Sequence, residues 1–268
     1  MKLPRLDRNS AAQGTLELPP QFHEPLRPDI IRRAVLAVQS RQRQSYGAHP
    51  MAGKRASAKL SRRRHDYKGS YGIGISRVPR KILSHRGSRF SWVAAFAPGT
   101  VKGRRSHPPK AAKRWEQKIN RKENRKAIRS AIAATINREL VTVRGHHLPA
   151  GYPFIIDGSI ENIGKTGDVV ALLSRLGFDA ELQRAAVKKV RAGKGKARGR
   201  PYKKKKGILI VVGGDCPLLR TARNISGCDV AHVAALNAQL LAPGAMPGRA
   251  TLWTEHAIER LSKERLFT

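Results

Sequence analysis

The residues with the most evident chemical potential form a glycine-framed run, Gly158-Ser159-Ile160-Glu161-Asn162-Ile163-Gly164-Lys165-Thr166, behind the apolar stretch Phe154-Ile155-Ile156. A phosphate-cradling loop needs Gly, four residues and then Gly-Lys-Ser or Gly-Lys-Thr, so that consecutive backbone N–H groups curl around a nucleotide's phosphates. Here five residues intervene, and Glu161 would set a carboxylate beside the anion. Ile208 to Val212 ahead of Asp215 could imitate the metal-binding strand of such enzymes, yet apolar strands ending near an Asp are frequent in any α/β protein. A P-loop-like NTPase is therefore a disfavoured alternative.

Other catalytic arrangements are weaker still. His146-His147 has no acid or cysteine at metal-ligand spacing and reads as a surface or loop pair. Cys216 sits after a strand at a possible helix start, where a thiol can be activated, but no partner base accompanies it. Cys216 and Cys228 are too far apart for a CxxC pair, and two buried free thiols are expected. The sequence thus assigns no catalytic residue, metal or cofactor.

Charge is the stronger signal. The chain carries 54 Lys and Arg against 18 Asp and Glu, a formal +36, where a magnitude of roughly 2 to 8 suits a small soluble domain. Such self-repulsion calls for a polyanion, and nucleic acid is the commonest. No apolar run reaches the roughly 18 residues of a membrane span, and the N-terminus lacks the apolar core of a signal peptide, so an intracellular, soluble chain without a membrane partner is expected.

The charge is also segregated. Residues 41 to 114 hold 20 Lys or Arg and a single acid, Asp66, whereas residues 207 to 268 hold six basic and five acidic residues. The 41–114 stretch is rich in Gly, Ser and Pro, and is expected to be too poor in apolar residues to fold alone. Tyr46, Tyr67, Tyr71, Phe90, Trp92 and Phe96 are scattered among its cations. Cations neutralise phosphates and planar rings stack on unpaired bases, so the mixture suits an extension threading into folded RNA. Its expected RNA contacts are Arg41, Arg43, Tyr46, Lys54, Arg55, Arg62, Arg63, Arg64, Lys68, Arg77, Arg80, Lys81, Arg86, Arg89, Trp92 and Lys102. A second basic stretch, 188–206, has 11 Lys or Arg and no acid, and reads as a flexible loop gripping backbone phosphate through Lys194, Lys196, Arg198 and Arg200.

The elements that must carry these stretches alternate. Asp29 to Gln42 places Ile30, Ile31, Ala34, Val35 and Val38 on one helical face. Lys110 to Leu140 opens basic, facing RNA, and ends with core-facing Ile128, Ala131, Ile132, Thr135 and Ile136. Strands are expected at Phe154–Ile156, Ile208–Val212, Val230–Val233 and Thr251–Trp253, with helices at Thr166–Leu176, Ala180–Val190, Leu218–Arg223, Asn237–Leu241 and Thr254–Ser262. Thr15–Leu18 suits the second strand of an N-terminal hairpin. Apolar strands alternating with helices imply a mainly parallel sheet flanked by helices, a Rossmann-like α/β fold. The expected organisation is a single globular α/β domain from 1–40 and 115–268, with the 41–114 basic loop inserted near the N-terminus and the 188–206 loop inside the domain.

Many local sequences resemble the universal large-subunit ribosomal protein L-four family in its archaeal and eukaryotic branch. They include Arg27-Pro28-Asp29-Ile30-Ile31-Arg32-Arg33-Ala34-Val35, Gln44-Ser45-Tyr46-Gly47, Ser76-Arg77-Val78-Pro79-Arg80, Gly103-Arg104-Arg105-Ser106-His107-Pro108-Pro109-Lys110, Ala222-Arg223-Asn224-Ile225-Ser226-Gly227-Cys228-Asp229-Val230 and Trp253-Thr254-Glu255-His256-Ala257-Ile258. The segment Leu60 to Tyr67 departs from the small, Gly-rich pattern of the family. The resemblance implies a structural constituent of the large ribosomal subunit, not an enzyme, whose loop reaches through large-subunit ribosomal RNA to the wall of the nascent-peptide exit tunnel. It implies neighbouring ribosomal proteins as partners, one of them lining the tunnel, and the nascent peptide near the loop tip. By position, Arg104, Arg105, His107, Lys110, Lys113 and Arg114 would bind RNA at the loop base. Tyr67, Tyr71, Ile73, Ile75 and Arg77 would lie near the tunnel. The chain stops at Thr268 without the long tail of eukaryotic members, which points to an archaeal source. A non-ribosomal RNA-assembly factor is the remaining alternative.

Overall fold

The computed structural model describes Met1–Thr268 and divides into two compact units, one made of Met1–Gln42 with Glu116–Thr268 and the other of Arg43–Trp115. In the first unit β1 (Lys2–Leu6) and β2 (Ala12–Glu17) form the N-terminal hairpin, followed by α1 (Pro28–Gln42). In the second, β3 (Arg80–Arg86) and β4 (Arg89–Ala94) pair antiparallel. The first unit resumes with α2 (Arg121–Ile136), α3 (Arg138–Val143), β5 (Ile155–Ile156), α4 (Thr166–Arg175), α5 (Asp179–Ala186), β6 (Lys188–Val190) and β7 (Tyr202–Lys204). It ends with β8 (Leu209–Val212), α6 (Leu218–Thr221), β9 (Asp229–His232), α7 (Ala238–Leu241), β10 (Thr251–Thr254) and α8 (Glu255–Lys263).

A six-stranded sheet organises the first unit in the order β2-β1-β5-β10-β8-β9, parallel except for the β1–β2 edge pair. Its central strands are apolar at nearly every position because successive side chains point to opposite faces and both faces are covered. Ile155, Leu209, Val211, Ala231 and Trp253 pack with α1, α2, α7 and α8. Ile156, Ile210, Val212, Val230 and Leu252 pack with α4 and α6. Each fully buried Leu, Ile or Val contributes about 1.5–3 kcal/mol. Trp253, the largest buried side chain, meets Phe22 edge-on at 5.1 Å, and its indole N–H donates to the Thr135 hydroxyl at 3.3 Å.

Three helices, α3, α7 and α8, open on a side-chain cap. Thr254 accepts from the Ala257 N–H at 3.3 Å and opens α8, and Asn237 accepts from the Leu240 N–H at 2.9 Å ahead of α7. Asn137 caps α3 at 3.2 Å, and its extended backbone divides the helical segment expected up to Leu140 into α2 and α3. Residues Lys110 to Asn120 lie outside regular helix. The helix expected over Ala180–Val190 stops at Ala186, because Lys188–Val190 leave as a strand paired with Tyr202–Lys204.

Candidate nucleic-acid interface

The Arg43–Trp115 unit holds 19 Lys and Arg against Asp66 alone. Asp66 is committed locally, accepting from the Ser61 hydroxyl at 2.6 Å and the Tyr67 N–H at 2.9 Å, and the Ser61 bond leads the influences that lower its carboxyl pKa. No basic side chain of this unit forms a salt bridge, whereas every one of the 14 salt bridges in the protein lies within the other unit. This arm is a set of uncompensated cations.

The arm has internal structure of its own. Its two legs touch backbone to backbone: the Ala48 N–H donates to the Pro109 carbonyl at 2.9 Å. Gly47 and Gly53 make that approach possible, since a Cβ at either would fall 2.5 Å from backbone of the opposite leg, at Ala111 and Arg104 respectively. Gly53 also has φ +72°, a left-handed conformation that favours glycine.

Within the same unit, β3 and β4 hold an aromatic group. Phe90 stacks on Trp92 at 5.2 Å, meets Tyr67 edge-on at 5.4 Å and lies 5.7 Å from His85. Tyr67, Phe90 and Trp92, with Arg63, Arg64 and Tyr71, line a cavity of about 680 Å³. Tyr67, Tyr71 and Ile73 remain exposed and Ile75 is half-buried. The Arg80 guanidinium is tied to the Ser76 carbonyl at 2.6 Å and hydroxyl at 3.0 Å, so it braces the chain as well as carrying charge.

At the base, Tyr46 stacks on Trp115 at 5.3 Å, with the Arg43 guanidinium 3.9 Å and the Lys113 ammonium 4.4 Å from the indole centroid. Arg105, His107 and Lys110 join Tyr46, Lys113 and Trp115 around a cavity of about 590 Å³. Pairs of cation and π-face of this kind can grip phosphate while offering a stacking surface.

The structure therefore brings together two sets of residues expected to meet RNA: Tyr46, Arg105, His107, Lys110 and Lys113 at the base, and Arg63, Arg64, Lys68 and Trp92 beside the β3–β4 hairpin. Arg86 and Arg89 face each other at the hairpin turn. Arg43, Arg55, Arg62, Arg77, Lys102 and Arg114 are exposed along the arm, and Lys54, Lys81 and Arg104 are half-buried. Arg41 ends α1 in the other unit and pairs with Glu116 at 2.9 Å. Trp115 lies one residue beyond the expected boundary and was missed, although an aromatic directly behind Lys113-Arg114 was the available signal.

The second basic stretch is a hairpin rather than a flexible loop. Lys188 faces Lys204, Lys189 faces Lys203 and Val190 faces Tyr202, while Lys194, Lys196, Arg198 and Arg200 are exposed on its turn. His146, expected at the surface, is buried and lies 2.7 Å from Glu181. Burial lowers the His146 pKa. Burial alone would raise the Glu181 carboxyl, but bonds from Arg184, His146 and the His147 N–H outweigh it and bring it to about 2. Cys228 is buried, which pushes its thiol up to about 12; Cys216 is only half-buried, and burial raises its pKa too, so neither thiol is activated.

The Gly158–Lys165 run is closed to phosphate. Gly158–Asn162 coil into a 3-10 helix, and Glu161 turns inward to accept from the Gly213 N–H at 2.9 Å and the Thr254 hydroxyl at 2.6 Å. Its Lys165-Thr166 end opens α4. No helix is long and apolar enough to cross a membrane.

Known proteins match this chain over nearly its whole length. It is 48% identical over 268 residues to the large ribosomal subunit protein uL4 of Nanoarchaeum equitans, covering 100% of both chains. It is 43% identical over 267 residues to that of Archaeoglobus fulgidus, covering 98% of this chain and 99% of the relative. For Methanoculleus marisnigri the figures are 47% over 249 residues, with 92% and 93% covered. The family model described as ribosomal protein L4/L1 matches residues 16–264, and the chain belongs to that family.

Proposed function

We propose that this protein is a structural constituent of the large ribosomal subunit in the cytoplasm, binding large-subunit ribosomal RNA and supporting assembly, and not an enzyme. The carrying observation is the arm of 19 unpaired cations interleaved with stacked rings, in a chain 48% identical end to end to a large-subunit protein. Charge of one sign gathered on one unit is costly in isolation and is neutralised when phosphates release their counterions.

The finer reading follows from the same features. The first unit is a Rossmann-like layer structure, with the arm inserted in its sequence at about residues 41–114. Arg104, Arg105, His107, Lys110, Lys113 and Arg114 grip RNA at its base, and the other basic and aromatic residues of the arm continue the contact. Tyr67, Tyr71, Ile73, Ile75 and Arg77 form part of the exit-tunnel wall, near the nascent peptide and a neighbouring tunnel protein. Exposed rings and Ile73 on an otherwise cationic arm suit a surface facing a peptide rather than phosphate alone. The 188–206 hairpin is a second RNA contact within the globular domain.

Sedimentation through a sucrose gradient at moderate salt tests the central reading. A constituent stays with mature large subunits, whereas a transient assembly factor is found only on precursors. Micromolar, magnesium-dependent ATP or GTP binding abolished by Lys165→Ala would favour the enzyme alternative.

A further inference from the structure

We infer that the base of the β6–β7 hairpin is a pocket for a single unstacked RNA nucleotide, a base-accepting site rather than a strip of phosphate contacts; the inference rests on the RNA-binding reading above.

The pocket has a volume of about 570 Å³, within the range of about 300–1,000 Å³ typical of small-ligand sites. Its walls carry Arg144, Arg184, Lys189, Lys203 and Lys205, and its apolar surface comes from Val187 and Met246. Val187 is 51% and Met246 57% exposed, an apolar pair left open to solvent amid cations. A site for phosphate alone has no use for such a surface, whereas a flipped base does: its face packs on apolar or guanidinium planes while its phosphate meets the surrounding cations.

The hairpin itself gives independent support. In register, Lys188 opposes Lys204 and Lys189 opposes Lys203. Two consecutive like-charge cross-strand pairs oppose strand pairing, and an anion between them reverses the sign of that interaction. Lys189 and Lys203 pair across the strands and so share a face at the pocket, which Val187, Lys204, Lys205 and Lys206 also line. None of Lys189, Lys203, Lys204 and Lys205 has an acidic partner, while Lys206 is taken by Asp229 at 2.9 Å.

The floor is rigid. Arg184 donates to Glu181 at 2.5 and 2.7 Å and to the Lys206 carbonyl at 2.8 Å. Arg144 donates to the carbonyls of Pro243 and Met246, which fixes the backbone carrying the Met246 side chain. Burial, with the nearby charges of Arg249 and Arg184, lowers the Arg144 pKa to about 10, still far above neutrality. The carboxylates behind the wall are already paired: Glu181 is fully buried and held by Arg184, His146 and the His147 N–H, and Asp229 by Lys206 and Arg249. Guanidinium groups held in place beforehand lose little freedom on binding and can select a base edge.

The three methionines provide the test, because Met246 lines the pocket, Met51 lies on the arm and Met1 directly precedes β1. The full chain, labelled with ¹³C at the methionine methyls, is titrated with four RNA hairpins that differ only in one bulged nucleotide, and with a fully paired hairpin of equal charge. At least one bulged hairpin is expected to shift the Met246 methyl where the paired one does not. The double variant Lys189→Gln, Lys203→Gln should weaken that response by about tenfold and leave the Met51 response in place. If Met51 shifts while Met246 stays still with every hairpin, or if Met246 responds equally to paired and bulged RNA, the nucleotide pocket is refuted and the RNA-binding reading stands. If no methyl responds to any RNA, the RNA-binding reading itself falls.

Discussion

Replacing Arg105, Lys110, Lys113 and Arg114 by Gln removes four exposed cations from the base of the arm, none of them in a salt bridge. Each phosphate contact contributes roughly 0.7 to 0.9 to the slope of log affinity against log salt. Four lost contacts therefore lower the slope by about 3. At 0.1 M salt the same arithmetic gives a loss of affinity of about a thousandfold, shrinking toward parity near 1 M. Folding should be unaffected, because the side chains are solvated and the hydrogen bonds joining the two legs of the arm involve backbone atoms. The assay is fluorescence anisotropy with labelled large-subunit ribosomal RNA fragments over a series of potassium chloride concentrations, with circular dichroism as the control. An unchanged slope in a correctly folded variant would refute the assignment of these four residues to phosphate.

Other expectations test separate parts of the structure. Deleting residues 60–85 should leave thermal unfolding of the α/β unit unchanged while impairing assembly into large subunits; a collapsed transition would show that the segment belongs to the core. Gly53→Ala forces a Cβ to within 2.5 Å of Arg104 backbone at φ +72° and should lower RNA affinity through the arm without moving the melting temperature of the α/β unit. Arg249, fully buried, donates to Asp229 at 2.6 Å and to the carbonyls of Gly207 and Leu240 at 2.9 Å; Arg249→Leu should cost about 3–5 kcal/mol in urea unfolding by stranding these groups. Glu181 titrates near 2 in the folded protein against an ordinary 4.5, so its contribution of about 3 kcal/mol is complete above pH 4.5 and lost as pH falls toward 2. Glu181→Gln should flatten the acid limb of the stability profile, and an unaltered limb would remove this group from the account.

The elements with one dominant physical signal were legible in the sequence. Leu209–Val212 and Thr251–Trp253 could be read as strands because a sheet covered on both faces demands apolar residues at successive positions. The α1 face of Ile31, Ala34 and Val35 followed from helical spacing. Less legible were elements whose partners are distant or whose signals compete. Val187 and Val190 flank lysines that suit a helix as well as a strand, and pairing with Tyr202–Lys204 decides the matter. The β3–β4 hairpin is marked by Gly87-Ser88 and by Phe90, Trp92 and Ala94 alternating with polar or exposed residues, a period-two signal obscured by surrounding cations. His146 carries no local sign of burial, since Glu181 lies 35 residues away. For the RNA interface, the abundance of cations was legible from composition, but the grouping of Arg43, Tyr46 and Lys113 around Trp115 depends on two legs of chain meeting across about 70 intervening residues.

The most direct measurement compares proteolysis of the arm in two settings. Trypsin, at matched activity, is applied to the isolated protein and to purified large subunits containing it, and cleavage after the basic residues between 43 and 115 is followed by mass spectrometry. Ribosomal RNA that neutralises and encloses the arm predicts rapid cutting there in the isolated chain and protection of the same sites in the subunit. Equal cutting in both settings would contradict it.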